Sequence, residues 1–179
     1  HAVSGIGADA ATRTAIELCS KGCRVLISFG YAGALNSTYR SGSLAIGLSV
    51  SNGVKTIDAS SVWLNQFIQL IEQEEKILLH STTFYAPQSP LITRPQKVSH
   101  AQRGNWGAVD TESYAIAEVA SKNGLPFLIV RAILDELNTD IPAGSANMIA
   151  PNGRQKSLTV FYEILKKPSD FGKYLKLAR

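Results

Sequence analysis

The sequence predicts an α/β fold, a mixed central sheet flanked by helices. Short apolar runs alternate with segments of helical periodicity, and glycines stand where the helices should stop. The composition, 45% hydrophobic and 18% charged over 179 residues, is that of a chain that buries a core. It does not change along the chain, which predicts one domain spanning residues 1–179.

The elements follow in order. Residues 8–22 carry a helical stripe through Ala11, Ala15, Leu18 and Cys19, with Gly22 as the C-terminal cap. "RVLISFG" (24–30) reads as a buried strand, and the small residues of "YAGALNSTYRSGS" (31–43) as a loop. "LAIGLSV" (44–50) is a strand. Residues 61–75 form a helix with Ser60 or Ser61 as N-cap and Leu64, Phe67, Ile68 and Ile71 on its buried face. "KILLHSTTF" (76–84) returns to the sheet. A proline-rich connector precedes a short helix over 96–102, then "WGAVD" (106–110) is a strand and 112–124 a helix ending at Gly124. There Ile116, Val119 and Ala120 face the core, and "PFLIVRAIL" (126–134) forms the most regular strand.

Several function classes recede at once. The longest apolar run has ten residues with Arg131 inside it, against roughly 20 for a membrane-spanning helix. Cys19 and Cys23 are too few for a disulfide framework, and no leader pattern opens the chain, so the cytoplasm is the expected compartment. Zinc usually wants four ligands, more than that lone cysteine pair offers, and His1, His80 and His100 lack ligand spacing, so no metal is expected. A net charge of +4, scattered until the C-terminus, gives nucleic-acid binding little support.

The chemistry concentrates between Gly107 and Glu136. Glu112 follows one strand and Asp135 another, and binding groups collect beyond the carboxyl ends of α/β strands, where loops are free and strands hold them rigidly. Glu112 is equally placed to stabilise a helix N-terminus, and Asp135 to cap a helix or turn.

"AVDTESYAIAEVASKNGLPFLIVRAILDE" resembles the signature of the purine nucleoside phosphorylase and methylthioadenosine/adenosylhomocysteine nucleosidase superfamily. "VSGIGADAA" (3–11) and "LISFGYAGALN" (26–36) are similar to its glycine-rich turn into a helix and to its strand-plus-glycine loop. "SFGYAGAL" and the C-terminal "MIAPNGRQKSLTVFYEILKKPSDFGKYLKLAR" resemble the hopanoid-associated phosphorylase branch. The resemblance implies a nucleoside phosphorylase-like sandwich that cleaves the N-glycosidic bond of an adenosyl-type, adenosylhopane-like nucleoside and releases adenine. It implies no cofactor, with phosphate as co-substrate or water as nucleophile. In this family Glu112 would accept hydrogen bonds from the ribose hydroxyls, and Asp135 would protonate the purine ring. That role needs a carboxyl held above the usual Asp pKa of about 3.9. Phe84 would stack on the base, although it reads equally well as a core residue, and Tyr85 beside it would also bind substrate. Gly30, Ala32 and Gly33 would let main chain approach the sugar, with Thr111 beneath it.

The sequence also departs from the family. Thr111 stands for the usual Met, Leu134 for Ser, and Gly33-Ala34 for Gly-Gly. The family's first strand has no counterpart, so the fold is expected to lack its N-terminal strand. Two alternatives stay open: a methylthioadenosine/adenosylhomocysteine nucleosidase, and a non-catalytic nucleoside-binding relative. The superfamily usually associates, so a homo-oligomer is expected. In the tail, Phe171, Tyr174, Leu175 and Ala178 share one helical face beside Lys173, Lys176 and Arg179. This pattern suits either packing on the domain or weak contact with an anionic membrane surface.

Overall fold

The computed structural model describes residues 1–71 and 78–141. The C-terminal segment similar to the hopanoid-associated branch, its tail included, and the end of the second predicted helix lie outside them. The elements run α1 (Ala8–Ser20), β1 (Leu26–Ala34), β2 (Leu44–Ser51), β3 (Thr56–Asp58), α2 (Ser61–Ile71), β4 (Leu79–Tyr85), α3 (Arg94–Ala101), β5 (Ala108–Val109), α4 (Ser113–Lys122) and β6 (Phe127–Asp135).

The sheet is mixed, in the order β3-β2-β4-β5-β1-β6, and β6 returns to pair with β2. Five strands therefore close on themselves, and β3 lies outside the ring. One edge of β2 serves β4; the other is shared between β6, at Leu44–Ile46, and β3, at Ser49–Ser51. Closure leaves one gap: among the described residues, β1 is paired opposite β6 only at Gly33 and Ala34, through β5. The outward side chains beside that open edge are apolar: Ile27, Phe29 and Tyr31 are 46%, 78% and 67% exposed.

Helices cover the ring. Ala15, Leu18 and Cys19 of α1 and Ala117, Val119 and Ala120 of α4 join Phe84, Ile129 and Ile133 in the main core. Leu64, Phe67 and Ile68 of α2 pack on Ile46 and Leu128. Each such large aliphatic side chain, once buried, contributes about 1.5–3 kcal/mol. Both α1 and α4 end in the same motif. Gly22 and Gly124 take positive φ, and the residue after each donates back to the third-last helical carbonyl, Cys23 to Leu18 and Leu125 to Ala120.

Several elements differ from the sequence reading, and β5 is shorter than the expected strand over 106–110. The residues Tyr31–Ala34, read as loop, extend β1, because pairing with β6 satisfies their backbone despite their small side chains. The three-residue β3 gives no periodic signal and was not expected. The third helix begins at Arg94 rather than Gln96, since Thr93 caps it: the Gln96 amide donates to Thr93 Oγ1 (3.4 Å) and the Thr93 amide to Gln96 Oε1 (3.0 Å).

Candidate active site

The register of β1 brings the two predicted acids to one place. Gly33 aligns with Val109 on one neighbour and Asp135 on the other. At normal strand spacing those two Cα atoms stand about 9–10 Å apart. Glu112 lies three residues beyond Val109, so both carboxylates flank the Gly30–Gly33 segment.

A bulge sets the direction of Asp135. Ala32 pairs with Ile133 but Gly33 with Asp135, which leaves Leu134 as the extra residue. Arg131 consequently lies against Gly30 and Asp135 against Gly33, positions of opposite parity on β1. A Cβ at Gly30 would stand 2.6 Å from the Arg131 guanidinium, and one at Gly33 would stand 2.9 Å from Asp135 Oδ2. Both glycines are needed for space.

Around Glu112 the work is divided. Asp110 caps α4: its Oδ1 accepts from the amides of Glu112 (2.8 Å) and Ser113 (2.6 Å), and its Oδ2 accepts from Ser113 Oγ (2.6 Å). The Glu112 side chain makes no capping bond and points elsewhere. Its Oε1 accepts from the Gly7 amide (2.9 Å) and Thr111 Oγ1 (2.7 Å), and its Oε2 lies 3.6 Å from Arg131. The glycine-rich turn before α1 therefore reaches this acid across most of the chain.

Arg131 anchors the group from β6. It donates to Ser28 Oγ (2.7 Å), Ser113 Oγ (3.2 Å), Asp110 Oδ1 (3.4 Å) and the Tyr31 carbonyl (3.3 Å). Its buried Nε has no partner among the described residues.

Asp135 is buried and paired with Lys97, a lysine of 0% exposure on α3, at 2.7 Å. Burial pushes the carboxyl above its ordinary range; the Lys97 charge pulls it down and only partly offsets that. Neither Lys97 nor the roles of Asp110 and Arg131 were foreseen.

The aromatic residues fall otherwise than expected. Phe84 has 0% exposure inside the main core, so no face of its ring is open to a base, and packing rather than stacking accounts for its place. Tyr85 stacks between Trp106 (centroids 4.2 Å apart) and His100 (5.1 Å). Ala32 is a core residue, and Thr111 is half-buried beside Glu112. A cleft of 280 Å³ between β3 and the end of α4, bordered by Asp58, Ser121 and Phe127, holds none of these groups. The described residues contain no cluster of potential metal ligands. No described helix is long and apolar enough to cross a membrane.

Comparison with solved structures gives the same fold. The methylthioadenosine/adenosylhomocysteine nucleosidase of Colwellia psychrerythraea, in complex with adenine, superposes with a TM-score of 0.68 at 18% identity, over 74% of this chain and 63% of that one. The Helicobacter pylori nucleosidase with butyl-thio-DADMe-Immucillin-A gives 0.72 at 17% identity, over 91% and 78%. The futalosine hydrolase of Helicobacter pylori gives 0.69 at 19%, over 97% and 76%. The chain thus spans less than two thirds of the Colwellia enzyme's length. No curated protein matches it. A family model, the phosphorylase superfamily, matches residues 1–167, and the chain belongs to that superfamily.

Proposed function

We propose that this protein cleaves the N-glycosidic bond of an adenosyl-type nucleoside and releases adenine. The observation that carries the reading is the register that sets Val109 and Asp135 on either side of Gly33, in a member of the phosphorylase superfamily. Glu112 is the ribose ligand: two hydroxyls replace the Gly7 and Thr111 donors on its carboxylate, and its charge stabilises the positive charge that develops on the sugar. Arg131 and Asp110 hold that acid and its helix in place. Asp135, its carboxyl raised by burial, gives a proton to the purine ring so that the base leaves neutral.

The sequence resemblance of "SFGYAGAL" and the C-terminal segment supports an adenosylhopane-like substrate, one with a large apolar group on the sugar. The competing reading is a relative that binds nucleosides without turnover.

The test is adenine release from methylthioadenosine, adenosylhomocysteine and an adenosyl lipid, each with and without phosphate. A sugar phosphate among the products identifies phosphorolysis; free sugar identifies hydrolysis. Nucleoside binding by calorimetry without adenine release would establish the non-catalytic reading, and no binding at all would refute both.

A further inference from the structure

Lys97 is fully buried, on the short helix α3, and each of its three ammonium donors has an acceptor. These are Asp135 Oδ2 at 2.7 Å, the Glu136 carbonyl at 2.6 Å and the Thr139 carbonyl at 2.5 Å. The carboxylate and the two carbonyls together fix the ammonium over the turn that leaves β6.

Other charges turn away from the carboxyl. On β1 it lies opposite Gly33, where an added Cβ would meet both of its oxygens. Just beyond its strand, Glu136 faces Arg40 (3.9 Å) and the Ser41 amide (3.5 Å). In the following loop Asp140 accepts from the Arg94 amide (2.6 Å). Among the described residues, Lys97 is the one charged group in contact with Asp135.

We propose that Lys97 is the positioning residue of Asp135: it pins Oδ2, leaves Oδ1 for the ligand, and sets the pH range over which the carboxyl holds a proton. Its catalytic consequence rests on Asp135 acting as the acid, but the pairing itself does not. Burial alone would hold the proton to high pH, while the lysine favours the carboxylate, so the acid is tuned between the two. A protonated donor acts below its pKa and is lost as pH rises through it.

Two measurements test this. In the unmodified protein, the ¹³C-carboxyl signal of Asp135 and the ¹⁵Nζ signal of Lys97 should both report the Asp135 transition. In Lys97→Met, the Asp135 midpoint should rise by about 1–3 pH units, as expected on losing an opposite charge at this distance. The alkaline limb of adenine release should move with it, kcat should fall, and Lys97→Arg should restore the limb in part. A Lys97 Nζ signal blind to the Asp135 transition in the unmodified protein, or an unmoved Asp135 midpoint in a folded Lys97→Met, would overturn the proposal. Moved midpoints without adenine release from any nucleoside would leave the pairing intact and defeat the proposed function instead.

Discussion

Replacing Arg131 with methionine removes the cation that three elements share while keeping the volume of the side chain. The guanidinium and the Asp110 carboxylate are 7% and 2% exposed, so solvent screens their attraction little. Removing one partner of a buried pair costs about 3–5 kcal/mol, because the other charge stays behind unpaired. Here the low end applies. Asp110 would still accept from two amides and Ser113 Oγ, and at 3.4 Å its contact with Arg131 is long, whereas the 2.7 Å bond to Ser28 is lost outright. We expect a loss of about 3 kcal/mol by urea denaturation. Adding Asp110→Asn should recover part of it, with a coupling of about 0.5–3 kcal/mol in the double-mutant cycle. A loss under about 1 kcal/mol, or a cycle that closes additively, would refute the view that the two charges hold each other.

Asp135→Asn should lower adenine release by about 10²–10⁴-fold with little change in nucleoside binding, the range for losing a general acid; near-normal turnover would contradict that role. Because burial raises the Asp135 carboxyl, the native state binds its proton more tightly than the unfolded chain does. Its contribution to stability is complete below about pH 3.9 and is lost as pH rises through the raised value, so Asp135→Asn should gain on the natural protein as pH increases. Parallel stability curves across the acid range would contradict it. Glu112→Gln should weaken binding of adenosine but leave free adenine almost unaffected in calorimetry; equal losses would make Glu112 a structural residue. Gly33→Ala places a methyl 2.9 Å and 3.2 Å from the Asp135 oxygens and 3.2 Å from Val109, which should cost about 1–3 kcal/mol and depress turnover further. Wild-type stability would mean that β1 yields at that point.

Glu112 and Asp135 were legible in the sequence because each follows an apolar strand, and that position is itself a structural statement. The glycines were legible as close-approach points, but not which groups they approach: Gly30 makes room for Arg131 and Gly33 for Asp135. Arg131 was visible only as an interruption in an apolar run. Its partners Ser28, Asp110 and Ser113 lie 18 to 103 residues away, beyond any local pattern. Lys97 gave no signal, since a lone lysine in a short helix ordinarily faces water. The extension of β1 was missed because "YAGA" has turn-like composition, and only the partner strand makes it a strand. Phe84 shows the opposite failure: an aromatic residue ending an apolar strand fits a ligand or a core equally, and tertiary packing decides.

The open margin of β1 has a consequence for hydrogen exchange. The Leu26 amide donates to the Pro126 carbonyl, so by strand alternation the amides of Ser28, Gly30 and Ala32 turn the same way, toward β6. Those of Ile27, Phe29 and Tyr31 turn outward, where the described residues offer no acceptor. Deuterium uptake along this one strand should alternate, slow at even positions and fast at odd ones. Those odd positions also carry the exposed Phe29 and Tyr31, so a bare backbone edge and a greasy surface coincide, as they do where one sheet recruits another strand. Uniform slow exchange that appears only as concentration rises would reveal such recruitment between copies of the chain.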